Sequence, residues 1–425
     1  AILPETHPFS DSLRGRTMRL LIADKLHPKA IEELRTLPVE VVYEPELTKE
    51  TLETKLDGVG ILVVRSTEVT ETAIENAKQL NLIVRAGTET QTIAVAAASR
   101  RGIYVANCPG KNASAVAELA LGMLIALDRR IPDAVRSLRE GRWERTEYAK
   151  AEGLAGRRLG IAGFGAIGRE VAARAKGFGM IPVVWSRGLG ANRAAEFGVQ
   201  HATSIEDLAK KSDAFSVHLA LSDRTANIVG KHVFDALPKG ALFLNLARAG
   251  LVDYTELRRA VREKGIRAAL DVYPDEPKGG KKEYATDLFD APATATGGFV
   301  YGTPHIAAST DQAQFVIASE TVRVIRHFLQ EGTVPNVVNV TNARHAKFQM
   351  VIRMVDKVGT FANVLAVIKR HGINVEEVTN TVFEGGVAST ARLRLVTRPS
   401  EGCLAEIRAF DEVLHIDVVT LPNLA

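Results

Sequence analysis

Residues 158–187, RLGIAGFGAIGREVAARAKGFGMIPVVWSR, contain the pattern that decides the fold. A short apolar run at 159–162 leads into a glycine-rich turn, then into a stretch with helical spacing and a second apolar run at 181–185. Short buried strands that alternate with helices are typical of a doubly wound parallel sheet. The stretch therefore predicts an α/β fold of this kind.

The turn has the spacing G-x-G-x-x-G, formed by Gly163, Gly165 and Gly168. The first glycine allows the tight turn, the second lets a pyrophosphate approach the backbone, and the third lets helix and strand pack closely. Free N–H groups at the start of the helix, at Ala166 and Ile167, are expected to face the phosphates. We predict a dinucleotide site here; the alternative is a glycine turn that serves packing alone.

The end of the second apolar run bears on which dinucleotide binds. NAD sites commonly place an Asp or Glu there, which accepts hydrogen bonds from the ribose hydroxyls. Ser186 occupies this position and Arg187 follows it. Because no carboxylate repels a 2′-phosphate and a guanidinium is available to pair with one, the sequence favours acceptance of NADP. The alternative is NAD, with Arg187 solvated or stacked on the adenine.

Outward from this stretch, the chain divides into three series of elements. Apolar runs alternate with helical segments from residue 18 to about 108, and again from 158 to about 300. Residues 346–425 instead follow the order βαββαβ, which is typical of a ferredoxin-like sandwich. The predicted fold class is α/β, with two doubly wound Rossmann-like domains and a C-terminal ferredoxin-like domain. Residues 1–17 are predicted to be a flexible tail.

Composition argues against several classes of protein. The net charge of the 425-residue chain is only +4, from 54 Lys and Arg against 50 Asp and Glu, so no nucleic-acid partner is expected. No run approaches the roughly 20 apolar residues of a membrane span. Two cysteines cannot form a disulfide framework, so a reducing, cytoplasmic location is expected. We predict no metal site.

Three polar residues each follow an apolar run of the second series. They are Arg248 in NLARAGLVD, Glu276 in ALDVYPDEP and His305 in TPHIAAST. Doubly wound sheets bind ligands at the carboxyl ends of their strands. We therefore expect these three side chains to meet at one edge of the second sheet.

These segments, together with the glycine turn and GRWER, occur in an order and spacing that resembles the D-2-hydroxyacid dehydrogenase family. The resemblance covers about residues 18–425 and is greatest to the members that oxidise 3-phosphoglycerate. It implies that His305 takes the proton of the C2 hydroxyl while hydride leaves for the nicotinamide. It also implies that Glu276 pairs with His305 and that Arg248 grips the substrate carboxylate.

The resemblance implies further contacts and the domain limits. Ala247 and Asp271 match cofactor contacts, whereas Arg65, Gly87 and Arg145 match substrate contacts, with Arg145 reaching a neighbouring subunit. The implied domains are a discontinuous substrate-binding domain (18–108 and 305–340), a dinucleotide-binding domain (109–304) and an ACT-like regulatory domain (346–425).

Two features depart from the family pattern. In the loop after RAGT, Gln91 and Thr92 stand where the family usually has Asp-Asn, and Ala94 replaces a following acid. This loop is expected to lie against the substrate, so substrate identity stays open. The interval from Glu276 to His305, 305 − 276 = 29 positions, is longer than in close members of the family. It carries lysines that either bring charge near a phosphate or are solvated (Lys278, Lys281 and Lys282).

The C-terminal unit resembles an ACT domain, a small amino-acid-sensing fold. In family members inhibited by serine, a His and an Asn near the first turn and an Asn before the second strand hold the ligand. Here Met354 and Asp356 stand in the first two places and Asn374 matches the third. Asp356 and Asn374 are the predicted effector contacts; the alternative is a domain that only assembles oligomers.

The resulting hypothesis is a cytoplasmic homodimeric or homotetrameric dehydrogenase. It interconverts 3-phosphoglycerate and 3-phosphohydroxypyruvate, the first step of serine synthesis in the members it resembles. Arg65 and the ACT-like unit favour this substrate. The Ser186-Arg187 pair and the altered loop favour an alternative, an NADPH-dependent glyoxylate or hydroxypyruvate reductase. A third alternative is a cofactor-sensing regulatory protein without turnover, which the intact catalytic set argues against.

Overall fold

The computed structural model describes residues 17–277, 282–290, 294, 297–340 and 346–421. Its contacts divide the chain into two units, Ala1–Asn339 and Val340–Ala425. Of the residues singled out above, Lys278 and Lys281 lie outside the described residues, as does the tail apart from Thr17, whereas Lys282 is exposed. None of the helices described is long and apolar enough to cross a membrane.

The first sheet has five parallel strands in the order β2-β1-β3-β4-β5, as the apolar runs predict. The central strand is buried along its whole length because helices cover both faces of the sheet. The elements are β1 (Met18–Ile22), α1 (Pro28–Leu34), β2 (Val39–Tyr43), α2 (Lys49–Lys55), β3 (Val59–Val64), α3 (Glu71–Asn76), β4 (Leu82–Arg85), α4 (Val95–Arg100) and β5 (Tyr104–Ala106).

Three helices connect the two sheets: α5 (Ala113–Arg129), α6 (Ile131–Arg139) and α7 (Arg145–Tyr148). The long helix α5 is apolar on most of its faces, and its residues pack into the core of the second sheet against Leu159, Ile161 and Val171.

The second sheet has seven parallel strands in the order β12-β11-β10-β9-β6-β7-β8. The sequence pattern did not predict β8, which has only two residues, or β12, which follows a Gly-rich segment. The elements are β6 (Arg158–Ala162), α8 (Ala166–Gly177), β7 (Ile181–Trp185), α9 (Ala191–Glu196), β8 (Gln200–His201), α10 (Ile205–Lys210), β9 (Ala214–Val217), α11 (Lys231–Ala236), β10 (Leu242–Asn245), α12 (Tyr254–Lys264), β11 (Arg267–Leu270) and β12 (Phe299–Gly302), with short 3-10 turns at Ala249–Leu251 and Asp287–Phe289.

Helix α13 (Asp311–Glu331) returns the chain to the first sheet. Thr310 caps its N-terminus by accepting a hydrogen bond from the N–H of Ala313. Ile317 and Val322 pack in the same core as Leu20 and Val84 of the first sheet. This packing supports a first domain that is completed by the segment after His305; the exact domain limits stay a prediction.

The second unit is a four-stranded antiparallel sheet in the order β14-β15-β13-β16, with two helices. Its core contains Met350, Ile352, Val364, Leu393 and Ile407. The βαββαβ order predicted from the sequence is confirmed: β13 (Phe348–Val355), α14 (Thr360–Arg370), β14 (Val375–Val382), β15 (Ala388–Leu395), α15 (Glu401–Arg408) and β16 (Val413–Thr420).

Candidate active site

The glycine turn between β6 and α8 has the shape of a phosphate cradle. Gly163 has φ +101°, and a Cβ there would collide with the carbonyl group of His218. A Cβ on Gly168 would collide with the carbonyl of Gly163, so strand and helix pack too closely for any side chain. A Cβ on Gly165 would meet only open space, which leaves the backbone accessible to a ligand. These features fit the pyrophosphate of a dinucleotide.

The N-terminus of α8 adds donors to this cradle. The first hydrogen bond that closes a helical turn runs from the N–H of Arg169 to the carbonyl of Gly165, at 3.1 Å. The N–H groups of Ala166, Ile167 and Gly168 precede it and are not used within the helix. They offer an anion the partial positive charge of the helix terminus.

A cavity of about 190 Å³ lies beyond this turn, at the end of β7. Ser186 and Arg187 line it, as do Arg169 of α8 and Arg193 of α9. We call Arg169, Arg187 and Arg193 the pocket arginines. Phe164 and Phe197 also line the cavity and contact each other edge to face, with ring centroids 5.3 Å apart. No carboxylate is among the described residues that line it. The sequence singled out Arg187 but missed the other two arginines, which separate helices bring to the same place.

The predicted catalytic pair is formed. His305 Nδ1 lies 2.5 Å from Glu276 Oε1, and the two side chains are 46% and 34% exposed. The second carboxylate oxygen of Glu276 accepts the N–H of Tyr273 at 3.3 Å, which fixes its direction. The carboxylate thus holds one ring nitrogen and leaves Nε2 for a substrate.

The backbone is left-handed beside both members of this pair. His305 has φ +52° and Asp275, next to Glu276, has φ +55°. Non-glycine residues rarely adopt this region, and such strain persists only where the surrounding structure holds it. At His305, Asp271 provides this support.

Asp271 lies fully buried under the histidine turn. Its Oδ1 accepts the hydroxyl of Thr303 at 2.6 Å and the N–H of Ile306 at 2.8 Å, and its Oδ2 accepts the N–H of Ala307 at 2.9 Å. Both carboxylate oxygens are therefore used in shaping the turn that carries His305. The predicted contact of Asp271 with the nicotinamide amide stays a prediction.

Arg248 and Ala247 occupy a loop shaped by a buried asparagine. Asn245 at the end of β10 accepts the N–H of Ala247 at 3.1 Å and donates to the carbonyl of Arg248 at 3.0 Å. Arg248 Nη1 donates to the carbonyl of Ala247 at 2.6 Å. The sequence analysis did not predict a role for Asn245. Its position at the end of a strand, two residues before Ala247, could have indicated that it shapes this loop.

Arg65 follows β3 in a loop held by one carboxylate. Asp24 Oδ2, just after β1, accepts the N–H groups of Arg65, Ser66 and Thr67 at 2.7, 3.1 and 3.0 Å. Three backbone donors on one oxygen fix the start of the loop that carries the half-buried Arg65. Asp24 was also not predicted from the sequence.

Arg85, at the end of β4, is a site residue that sequence reasoning missed. A Cβ on Gly87 would collide with the Arg85 guanidinium, so the glycine makes room for this side chain. Burial lowers the pKa of Arg85; the negative charge of Glu89 opposes this shift, and the positive charges of Arg65 and Arg248 add to it. The three guanidinium groups are thus electrostatic neighbours. We call Arg65, Arg85 and Arg248 the substrate-side arginines.

The loop after β4 brings a carboxylate to this group. Glu89 Oε2 accepts from Arg248 Nε at 3.1 Å and forms an ion pair with Nη2 at 2.5 Å. Farther along the loop, Gln91 is exposed, while Thr92 and Ala94 hydrogen-bond through their backbones to Val69.

Arg145 is the predicted substrate contact that the structure does not bring to this place within one chain. It begins α7 and is exposed, and among the described residues it shares no hydrogen bond or ion pair with the other predicted site residues. Its neighbour Trp143 is 81% exposed. A contribution of Arg145 to a partner's site stays a prediction.

In the second unit, the predicted effector residues are exposed. Asp356 follows β13 and donates its N–H to the carbonyl of Val387, and Asn374 precedes β14. Met354, which stands in the place of a ligand residue in serine-inhibited relatives, is buried in the core. An effector role for Asp356 and Asn374 stays a prediction.

Known proteins match both the sequence and the fold. The family described as "D-isomer specific 2-hydroxyacid dehydrogenase, NAD binding domain" matches residues 121–307. D-3-phosphoglycerate dehydrogenase of Methanocaldococcus jannaschii is 37% identical over 332 residues, which is 78% of this chain and 61% of that protein. The enzyme of the same name from Archaeoglobus fulgidus is 33% identical over 386 residues, 90% of this chain and 70% of that protein.

Among solved structures, the NAD⁺-bound 3-phosphoglycerate dehydrogenase of Entamoeba histolytica superposes with a TM-score of 0.62 at 25% identity, over 76% of this chain and 99% of that one. The chain spans about three fifths of the length of the Methanocaldococcus relative. The match to the family's nucleotide-binding domain, together with the two long relatives, is enough to place the molecule. The chain belongs to the D-isomer specific 2-hydroxyacid dehydrogenase family, and its second sheet forms the domain that binds the nicotinamide dinucleotide.

Proposed function

We propose that the protein is a dehydrogenase that interconverts 3-phosphoglycerate and 3-phosphohydroxypyruvate. The observation that carries this proposal is the 2.5 Å contact between His305 and Glu276. Arg248 follows β10 of the same sheet, at the edge where parallel strands place their ligands. Similarity to the archaeal enzymes named above supports the choice of substrate.

Each residue then has a defined task. The bound nicotinamide would exchange hydride with C2 of the substrate. Arg248 binds the carboxylate next to C2 and so orients the reacting carbon. His305 Nε2 takes the proton of the C2 hydroxyl in oxidation and returns it in reduction, and Glu276 stabilises the imidazolium form between the two. Asp271 keeps the turn of His305 in place.

The substrate-side arginines support a phosphorylated acid. Arg85 Nε is buried and has no hydrogen-bond partner among the described residues. A buried donor without a partner is costly, and a phosphate oxygen would satisfy it. Arg65 brings a second positive charge close to Arg85.

We also propose that the cofactor site accepts NADP. The three pocket arginines and the lack of a described carboxylate in the cavity beside Ser186 support this choice. Family membership alone is equally compatible with NAD. Arg187 would bind the 2′-phosphate, and Arg169 and Arg193 would add to the local positive charge.

An NADPH-dependent glyoxylate or hydroxypyruvate reductase is the second candidate. The pocket arginines and the altered loop at Gln91 favour it, whereas Arg65 and Arg85 have no evident task with an acid that lacks phosphate. The regulatory alternative without turnover has no observation in its favour beyond the cofactor cradle. Homo-oligomeric assembly, supported by the exposed Trp143, stays part of the proposal, as do an amino-acid effector and a cytoplasmic location.

The test is reduction of phosphohydroxypyruvate, hydroxypyruvate and glyoxylate with NADH and with NADPH, in the wild type and in His305→Gln. We expect the highest kcat/KM with the phosphorylated acid and a loss of about 10²–10⁴-fold in the variant. His327→Gln is the matched control, because His327 forms a similar pair with Glu331 at 2.9 Å on α13. A His305→Gln variant with full turnover would contradict the catalytic assignment. Faster turnover of glyoxylate would favour the second candidate.

A further inference from the structure

Glu89 occupies the edge of Arg248 that a substrate carboxylate needs. The guanidinium Nε donates to Glu89 Oε2 at 3.1 Å, and Nη2 forms an ion pair with the same oxygen at 2.5 Å. This edge presents two parallel N–H groups and is the one that forms a fork with a carboxylate. The remaining nitrogen, Nη1, already donates to the carbonyl of Ala247.

The backbone on both sides of Glu89 is fastened. Asn107 donates to the carbonyl of Thr88 at 2.5 Å, and the Thr88 hydroxyl lies 3.2 Å from Asn112 Oδ1. On the other side, Ile93 donates its N–H to the carbonyl of Thr90 at 3.0 Å. The loop thus directs Glu89 toward Arg248, while the side chain itself remains 34% exposed to solvent.

The pair also joins the two sheets. Glu89 follows β4 of the first sheet and Arg248 follows β10 of the second. The negative charge of Glu89 interacts with the positive charge of Arg85 as well as with that of Arg248. If the Glu89 side chain moves away from Arg248, the three substrate-side arginines remain to bind an incoming anion.

We propose that Glu89 is an internal stand-in for the substrate carboxylate, bound to Arg248 until a 2-hydroxy or 2-oxo acid displaces it. The inference rests on the proposed function for its substrate class. Displacement makes binding weaker than Arg248 alone would allow, because one ion pair is broken for each one formed. A ligand whose second anionic group reaches Arg65 and Arg85 has the additional attraction needed to displace Glu89.

Binding of oxalate tests this without any turnover. Oxalate resembles a 2-oxo acid and does not react, and its Kd is measured by isothermal titration calorimetry at saturating NADH or NADPH. We expect Glu89→Gln to bind oxalate about two- to tenfold more tightly than the wild type, since a partly exposed ion pair no longer competes. Glu71→Gln is the control, because Glu71 pairs with Arg100 in an exposed position and should leave the Kd unchanged.

The Glu89→Asp variant distinguishes an effect of direct contact with Arg248 from an effect of negative charge alone. It keeps the negative charge but shortens the side chain by one methylene, so a stand-in that works by direct contact predicts tighter oxalate binding here too. Wild-type affinity in Glu89→Asp would overturn the direct contact. Unchanged or weaker binding in Glu89→Gln, including no binding to either protein, would overturn the inference.

Failure of the proposed function and failure of the inference about Glu89 give different results. Tighter oxalate binding in Glu89→Gln without turnover of any 2-oxo acid would leave the inference standing and remove the enzyme assignment. Normal turnover with unchanged oxalate affinity would do the reverse.

Discussion

The two groups of arginines are built differently. The substrate-side arginines, Arg65, Arg85 and Arg248, include a largely buried guanidinium and have Glu89 as a counter-charge. The pocket arginines line a cavity that opens to solvent at the end of β7, with no carboxylate among the described lining residues.

Burial explains this difference. A positive charge removed from water is costly unless a partner compensates for it, so the substrate-side group needs an internal anion while no ligand is bound. Arginines at a solvent-facing cavity are screened by water and salt and need no such partner. The anion site at Arg248 is therefore occupied by Glu89 of the same chain, whereas the cavity at Arg187 is left open for its ligand.

Arg85→Met tests the buried group and has the largest expected effect among the variants that compare the two groups of arginines. The substitution keeps an unbranched apolar stem beside Gly87 but removes the phosphate donors. We expect kcat/KM for phosphohydroxypyruvate to fall about 10- to 100-fold, mostly through KM, as for the loss of a charged hydrogen bond. Steady-state kinetics with phosphohydroxypyruvate and glyoxylate measure it.

The reduction of glyoxylate should change much less, because that acid has no phosphate. Arg100→Met, which breaks an exposed ion pair with Glu71, is the matched control and should behave as the wild type. Equal losses for both substrates would show that Arg85 acts on the fold of the site rather than on a phosphate.

Arg187→Ser tests the open group and has the next largest effect. We expect the ratio of kcat/KM with NADPH to that with NADH to fall by about 10-fold, since a guanidinium facing the 2′-phosphate is lost. Arg193→Gln should lower the same ratio by a smaller factor. The ratio is measured with one 2-oxo acid at a saturating concentration.

Arg174→Gln is the control for the pocket. Arg174 lies on α8 like Arg169, but its contacts are with Glu170, Glu118 and Ser114. An unchanged ratio in Arg187→Ser, with NADH preferred in both proteins, would mean that the cavity holds the ribose of NAD.

Glu320→Gln tests how much a carboxylate that stays paired inside the protein stabilises the fold, in contrast to the displaceable Glu89. The substitution should leave turnover nearly unchanged. Glu320 is buried on α13, where it accepts from Arg323 at 2.6 Å and Asn336 at 2.6 Å and pairs with Lys111 at 3.2 Å. The hydrogen bonds from Arg323 lower the pKa of Glu320 to about 2, although burial of the carboxyl acts in the opposite direction. The folded state therefore favours the ionised form.

Because the folded pKa lies below the ordinary value of 4.5, this stabilisation is fully present above about pH 5 and is lost as the pH falls toward 2. We expect Glu320→Gln to lower the free energy of unfolding by about 1–3 kcal/mol at pH 7 and by less at pH 3.5. Urea unfolding at both pH values measures it. An equal loss at both would show that shape, not charge, is responsible.

Local spacing was enough to predict the glycine turn and to single out three candidate catalytic residues. Gly163, Gly165 and Gly168 fall within one turn, and each has its own steric reason to be glycine. Arg248, Glu276 and His305 follow strands, so parallel pairing alone places them at one edge of a sheet. Most strands were predictable from their apolar runs; β8 was missed because it has only two residues, and β12 because it follows a Gly-rich segment.

Contacts between distant segments were not predictable in the same way. The sequence showed the Gln91–Ala94 departures but not Glu89, because its importance comes from Arg248, 159 positions away. Arg85 likewise became a candidate only when its burial and its place beside Gly87 were known. Arg169 and Arg193 lie on two helices and meet only around the cavity at Arg187.

The sequence by itself determined the α/β and βαββαβ series and the glycine turn, and it singled out the candidate residues for the proton transfer. These depend on periodicity and on steric rules that act within a few residues. Only the tertiary structure decided which charges face one another: Glu89 on Arg248, Asp24 on the Arg65 loop, and three arginines around one cavity. Electrostatic energy depends on distance and burial, and a linear order of residues contains neither.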